Sequence, residues 1–478
     1  MSATDVLSTF TARSNAFSID PSEWAFLNAT LGGRLMQAIP VAQPCFSQGG
    51  GSNQTAFSDL QTHNEDHIFR SNHFGAYENT NWETCQSTGD ECLLDWTDPT
   101  NPTAFATPQK CLLGNIPSYY YMKIDISGPN DVKAAFNFAN QTGIRLSIKN
   151  TGLTLNETFI PDGCSASESG MTAITIGAGQ QFRTIYNFAK SNNITVVGGA
   201  DPAVGASGGW VMGGGHSALS VTMGLGVDRV LEFKIVTPDG QYRTANRCQN
   251  QDLFFALRGG GGGTFGVVLE STHMASPRVT IQAQPPAGAA FWANPVLNAT
   301  EAKHSASGMV DAFASVNGTT TFFTLDSFSD FYDMFIDQQP DPVGRPQVIG
   351  TRLIPSDKFD DDILIEAIIS GMLDSDFSQI TAVTPFSFKK FNGNDTSINP
   401  AWRTAIWQTV LSYAWNFNST LEDRVGSYNK VTQGMSIIRE RTLDAAVYFN
   451  EADVYEPDYI NAFWGEDNYK KLLAIKQK

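Results

Sequence analysis

The residues best placed to do chemistry in this chain are glycines. Gly198-Gly199-Ala200-Asp201-Pro202-Ala203-Val204-Gly205 is one run. Gly208-Gly209-Trp210-Val211-Met212-Gly213-Gly214-Gly215-His216-Ser217 is a second, and Gly259 through Gly263 with Thr264-Phe265-Gly266-Val267-Val268 is a third. Glycine admits positive φ and lets main-chain N–H groups come close to a bound group. Successive N–H groups in such turns make concave anion sites, and a diphosphate is their natural occupant. One run alone reads as a turn or bulge between strands. Three runs close together favour a large phosphate-bearing ligand.

Familiar nucleotide motifs are missing. The chain has no G-x-x-x-x-G-K-[ST] loop. Gly177-Ala178-Gly179-Gln180-Gln181-Phe182 follows an expected strand and opens an expected helix, but Phe182 replaces the third glycine of a dinucleotide fingerprint. A Rossmann nicotinamide site is therefore not expected. No G-x-S-x-G elbow supports a hydrolase. His63-Asn64-Glu65-Asp66-His67, with His73 beyond, lacks H-E-x-x-H spacing and reads as a solvated acidic turn. No metal is expected. Asp360-Asp361-Asp362 reads as the charged start of a helix.

The elements that must position these residues show in the hydrophobic pattern. Residues 1–113 are irregular and hold four cysteines. Tyr121–Ile126 alternates as a strand does. Val132, Ala135, Phe136 and Ala139 recur at helical spacing, closed by Gly143. Short strands are expected at Arg145–Ile148, Thr172–Ile176 and Ile194–Val197, and a helix at Gln180–Asn192. Val227–Val236 reads as a long strand, turned at Pro238-Asp239-Gly240 and returning over Gln241–Thr244. Asp252–Leu257 is an expected helix and Phe265–Met274 a strand. Beyond Ser276-Pro277-Arg278, helices are expected at Ala302–Ala314 and Asp360–Leu373. A long strand is expected at Trp402–Trp415, with Ala405, Trp407, Thr409, Leu411, Tyr413 and Trp415 on one face.

The chain has 478 residues, 31 Lys+Arg against 48 Asp+Glu, and a net charge of −17. That charge repels phosphate backbones and anionic lipid, so no nucleic-acid or membrane partner is expected. The cysteine count is even, at 6. Sequons begin at Asn28, Asn53, Asn140, Asn156, Asn193, Asn298, Asn317, Asn394 and Asn418. Together they favour a secreted glycoprotein, although Met1–Phe26 shows neither the basic nor the apolar region of a signal peptide.

Several motifs occur in a familiar order. They are Ile148-Lys149-Asn150-Thr151-Gly152, Ile176-Gly177-Ala178-Gly179, Val197-Gly198-Gly199, Gly213-Gly214-Gly215-His216-Ser217 and Leu257-Arg258-Gly259 through Val268. Tyr448-Phe449-Asn450-Glu451-Ala452-Asp453 and Phe463-Trp464-Gly465 close the series. In these the chain resembles the vanillyl-alcohol oxidase/p-cresol methylhydroxylase (PCMH-type) superfamily, most closely its fungal berberine-bridge-enzyme-like members. The resemblance implies an α+β, two-domain PCMH-type FAD-binding fold with an inserted α/β substrate domain. Its parts would be an N-terminal extension (1–113), an FAD-binding domain (114–277), a substrate domain (278–445) and a C-terminal segment returning to the FAD domain (446–478). It implies that Asn150, Thr151, Gly152, Gly198, Gly199, Ala200, Asp201 and Gly205 hold the diphosphate. Gly208, Gly209, Gly213, Gly214, Gly215, His216, Ser217, Gly266, Val267 and Val268 would line the path from adenine to ring, and Tyr448 and Asn450 would face the isoalloxazine. The implied activity is hydride transfer from a substrate C–H to flavin N5, with O2 as acceptor, on a sugar or secondary metabolite. Tyr448, or Tyr413 in the substrate domain, would take the accompanying proton.

One departure matters. Such proteins usually follow K-N-T-G with a histidine linked covalently to the flavin. Here Leu153-Thr154-Leu155-Asn156 follows, and no histidine lies between Gly152 and His216. Asp201 stands where some relatives carry a second, cysteine link. FAD is thus expected to bind noncovalently. A shortened gene product and a variant without the link both fit this pattern. The alternative function is a flavin-free or flavin-poor scaffold without oxidase activity.

Overall fold

The computed structural model describes residues 19–37, 39–46, 54–85, 88–106, 111, 122–144, 146, 153–284, 292–338, 342–388 and 395–478. Asn150, Thr151 and Gly152, with most of the strand expected at 145–148, lie outside the described residues.

A short pair, β1 (Leu35–Gln37) with β2 (Met122–Ile124), ties the N-terminal region to the start of the first α/β unit. Next comes α1 (Pro129–Thr142), with Pro129 in its first turn and Gly143 closing it at φ 72°. It buries Val132, Ala135 and Phe138. The expected Phe136 is half-buried against Val132, Val236 and Val267, and Phe138 also turns inward, packing on Leu27 and Leu31 of the N-terminal region.

Five antiparallel strands form the main sheet. They are β3 (Leu153–Phe159), β4 (Met171–Gly177), β5 (Val230–Val236), β6 (Tyr242–Asn246) and β7 (Val267–Met274), in the order β3-β4-β7-β5-β6. The helix α2 (Phe182–Ser191) buries Phe182, Ile185, Tyr186 and Ala189 in the same core. The helix α3 (Gln251–Leu257) precedes the third glycine run. β5 begins three residues later than expected, because Gly226–Arg229 is a helical turn. The Gly226 and Val227 N–H groups donate to the Gly215 and Gly214 carbonyls, which moors the second glycine run to the entry of β5. Val196 and Val197 leave the expected strand, which is only Ile194–Thr195.

A second sheet has three strands, β8 (Gln347–Pro355), β9 (Phe377–Thr381) and, at its centre, β10 (Ala405–Ala414). Two helices, α4 (Asp362–Asp374) and α5 (Leu421–Arg441), cover one face, where Leu411 packs with Leu364, Ile368, Met435 and Ile438. β10 starts after Trp402 because Pro400–Arg403 is a 3-10 turn capped by the Asn399 side chain. Arg403 then makes a two-pronged ion pair with Asp228, at 2.6 and 2.7 Å, joining this sheet to the turn before β5. The helix expected over 302–314 is two, Ala299–Ser305 and Ser307–Ser315. Ser307 and Gly308 at the join are weak helix formers.

The C-terminal segment runs back across both sheets. The Leu353 N–H in β8 donates to the Ala446 carbonyl at 2.9 Å. Trp464 Nε1 donates to the Gly259 carbonyl at 3.0 Å. The final helix, α6 (Glu466–Lys476), buries Leu472 in the core shared with the main sheet. Among the described residues two disulfides, Cys92–Cys111 and Cys164–Cys248, are formed. No described helix is long and apolar enough to cross a membrane.

Candidate active site

The three glycine runs meet around the segment from Gly209 to Met212. A Cβ on Gly199 would lie 3.1 Å from Trp210 Nε1, and one on Gly215 would lie 3.2 Å from the same ring. A Cβ on Gly262 would lie 2.9 Å from Gly209 Cα, and the Gly261 N–H donates to the Met212 carbonyl at 2.9 Å. The runs must therefore be glycine for the chain to pack on itself here, and packing leaves the main chain bare. The N–H groups of Gly198, Gly199 and Ala200 find no acceptor among the described residues, although Gly198 and Gly199 are buried. An unmet buried donor costs about 1–3 kcal/mol. A phosphate would meet three at once, so these residues fit a dinucleotide.

Other expected residues contribute differently. The first N–H groups of α2, on Phe182 and Arg183, donate to the Val204 and Pro202 carbonyls, so the loop ending at Gly205 occupies that helix end. Gly208 and Gly263 face open space. Ser217 is buried and stabilises its own turn, its N–H bonded to Ser220 Oγ at 2.8 Å. Gly266, at φ 145°, passes so close to the Val236 carbonyl that a Cβ would sit 2.4 Å from it. Val267 and Val268 are ladder residues of β7 with side chains in the core, so only their main chain could meet a ligand.

Asp201 is engaged elsewhere. Its Oδ2 lies 2.5 Å from His67 Nδ1, and its Oδ1 accepts the Ala203 N–H at 2.7 Å. His67 is buried, which corrects the reading of its segment as a wholly solvated turn. Tertiary contact with the glycine loop, invisible in a local motif, draws it in. Glu78 completes a cluster whose donor atoms all lie within 4.8 Å. The facing atoms of His67 and Asp201 are taken up by their own hydrogen bond.

A polar set lies on the other side of the second run. Asn450 Nδ2 donates to the Gly209 carbonyl at 2.9 Å and to the Tyr448 hydroxyl at 2.7 Å. The His216 ring stands edge-on to Tyr448, with centroids 4.6 Å apart. His216 Nε2 lies 3.0 Å from Glu451 Oε1. Gln408 Nε2, from β10, donates to Glu451 Oε2 at 2.6 Å. The side chains of His216 and Glu451 are 23% and 29% exposed, open enough to meet a substrate.

Both expected proton acceptors are corrected. Tyr413 points to the helix-covered face of β10, packs with Val348, Tyr428 and Val431, and donates its hydroxyl to Asp374 at 2.8 Å. Glu451 meets β10 through Gln408, on the opposite face. Burial, and then the Asp374 carboxylate, push the Tyr413 pKa up. Tyr448 is beside the glycine run but 2% exposed, with Asn450 on its hydroxyl. Burial, then the Glu451 charge, push its pKa far above the ordinary phenol value. Sequence reasoning assigns no role to Glu451 or Gln408. The signal for Glu451 lies in its place three residues after Tyr448 in the Y-x-N-E run.

An antiparallel sheet carrying a glycine-built N–H cradle, with a second sheet joined to it, is the fold shared with solved VAO-type flavoproteins. The FAD binding domain family matches residues 126–246. The chain is 33% identical to the FAD-linked oxidoreductase ffsJ of Aspergillus flavipes over 559 residues, spanning 95% of this chain and 89% of that one. It belongs to this family of FAD-linked oxidoreductases. Its fold matches that of a VAO-type flavoprotein from Myceliophthora thermophila with a TM-score of 0.83, at 24% identity over 96% of this chain and 92% of that one. A glucooligosaccharide oxidase from Acremonium strictum, described as carrying 6-S-cysteinyl, 8α-N1-histidyl FAD, matches with a TM-score of 0.60 at 18% identity, over 73% of this chain and 87% of that one. The alignment with ffsJ is longer than this chain's 478 residues, so that relative carries internal segments with no counterpart here.

Proposed function

We propose that the protein is an oxidase acting on a hydroxyl-bearing small molecule, a sugar or a secondary metabolite, with O2 as final acceptor and hydrogen peroxide as by-product. The observation that carries this is the meeting of unpaired main-chain donors at Gly198–Ala200 with the partly open pair His216 and Glu451, backed by the buried Gln408, across the Trp210 region. Bound FAD supplies a two-electron acceptor. Gly198, Gly199 and Ala200 would hold its diphosphate. Gly208, Gly209 and the Tyr448–Asn450 pair would line the ring end. The resemblance to an oligosaccharide oxidase supports the substrate class.

We read the FAD as noncovalently held. His67 and His216, the histidines nearest the glycine runs, each have a ring nitrogen on a carboxylate. His273 is sealed in the core, and Asp201 stands where a cysteine link would be. Surface sequons at Asn156, Asn193 and Asn317, all exposed, together with two disulfides, support a secreted glycoprotein. The test is acid precipitation of purified protein. Flavin in the supernatant is the expected result. Flavin in the pellet would overturn the noncovalent reading. A protein that stays colourless in excess FAD would support the flavin-poor scaffold instead. Peroxide release over a panel of glucose oligomers and aromatic alcohols then addresses substrate.

A further inference from the structure

We propose that His216 takes the substrate's hydroxyl proton and that Glu451 is its positioning residue. The inference rests on the proposed oxidase activity and replaces both tyrosines as the proton acceptor.

The geometry selects one ring nitrogen. An ionised Glu451 only accepts hydrogen bonds, so its Oε1 at 3.0 Å from Nε2 assigns the proton of the neutral ring to Nε2. Nδ1 is then a lone pair, and no group among the described residues bonds to it. Gln408 holds the far oxygen of the same carboxylate, which fixes the plane of Glu451 and with it the imidazole. A carboxylate that orients a histidine and stabilises its charged form is the arrangement that makes histidine an effective base. Among the described residues, the titratable groups in contact with the ring are Glu451 and Tyr448. Tyr448 meets it only through the ring faces and edges.

A second observation points to a polar ligand here. Gln408 is 1% exposed and its Oε1 has no hydrogen-bond partner among the described residues. An unmet buried acceptor next to Glu451 is costly, so this end of the polar set is built to receive a donor that the described residues do not supply. In the step itself the substrate O–H bond breaks and its proton moves to Nδ1. As the carbinol carbon becomes a carbonyl, its C–H electron pair would leave as hydride, and FAD held by the glycine loops would be the two-electron acceptor. Tyr448 cannot serve in this way, because its hydroxyl is enclosed.

The test uses purified flavin-loaded protein labelled with 15N-histidine, with His216→Asn assigning the His216 signals. The wild-type neutral ring should show the Nε2–H tautomer alone, and Glu451→Leu should show a mixture. With glucose oligomers as the probe, His216→Asn should lose about 100-fold or more in kcat. Glu451→Leu should lose at least about tenfold with KM little changed, and Glu451→Asp should recover part of that loss. Flavin content should stay near wild type in all three variants, and Glu451→Leu, which leaves the buried Gln408 amide without its acceptor, should melt somewhat lower. A wild-type Nδ1–H tautomer, or kcat unchanged in both His216→Asn and Glu451→Leu, would overturn the proposal. Missing flavin absorbance in wild-type protein would instead defeat the oxidase reading, while the tautomer measurement still judges the pair.

Discussion

The side-chain amide of Asn450 fills the space that a Cβ on Gly213 would need, with Nδ2 only 2.6 Å from that point. Because the same amide bonds to Gly209 and Tyr448, the C-terminal segment is locked to the second glycine run without slack. Gly213→Ala must push Asn450 away. Overpacking of this kind costs about 1–3 kcal/mol. The variant should melt lower and hold FAD less tightly in equilibrium dialysis. An alanine variant equal to wild type in both measurements would contradict the packing described.

Tyr448→Phe separates structure from chemistry. It removes a buried hydroxyl that accepts from Asn450, at a cost of about 0.5–1.5 kcal/mol. Since that hydroxyl is enclosed, turnover measured by peroxide release should change little. Tyr413→Phe, on the far face of β10, should cost a similar amount of stability through the lost Asp374 contact and leave turnover alone. A collapse of kcat in Tyr448→Phe at normal melting would return the proton-acceptor role to that tyrosine.

His273 makes stability depend on pH. It is buried in β7 with Nε2 2.7 Å from Ser271 Oγ. Burial, and then the Arg229 charge, push its pKa down to about 3. In the unfolded chain it titrates near ~6.5, so below that pH the unfolded state binds the extra proton. Stability is fully present above ~6.5 and falls as pH drops toward the folded value, at about 1.4 kcal/mol per pH unit. Between pH 7 and 5 this amounts to roughly 2 kcal/mol. His273→Gln should flatten the slope in urea denaturation. Asp131, whose pKa Arg34 holds at about 2, acts in a lower window, losing its contribution only as pH falls below ~3.8. An unchanged slope in His273→Gln would show that the ring is not the group responsible.

The Cys164–Cys248 bridge spans 84 residues and links the turn between β3 and β4 to the turn after β6. Of these, β3 and β6 are the two edges of the main sheet. Closing a loop of that length is worth about 4.5 kcal/mol in the unfolded-chain entropy picture. Cys164→Ser with Cys248→Ser should lower the urea midpoint accordingly. The effect should be larger than that of either tyrosine variant, and a smaller one would mean that the sheet edges are held by other contacts.

Much of this protein is legible in its residues. The apolar period locates α1 and α2, and Gly143 marks the end of α1, because a helix that buries one stripe and ends at such a glycine writes both facts into its own sequence. β4 and β7 are legible for the same local reason, and the glycine runs announce themselves by composition, since no other residue allows such close main-chain approach. The failures are also local in origin. Gly226–Arg229 reads as strand because its apolar content matches one, while its shape comes from bonds to Gly214 and Gly215.

What tertiary structure alone decides is which side of each element faces the site. β10 is central, with Gln408 through Tyr413 buried on both faces. Alternation therefore sorts its residues into two sets without saying which set meets the helices and which meets Glu451. Only the packing of α4 and α5 assigns Tyr413 to the first and Gln408 to the second. In the same way His216 and Glu451 stand 235 positions apart, and nothing in either neighbourhood specifies the other. Their pairing is a consequence of the C-terminal segment crossing the second glycine run, and that crossing is set by the summed packing of the whole chain.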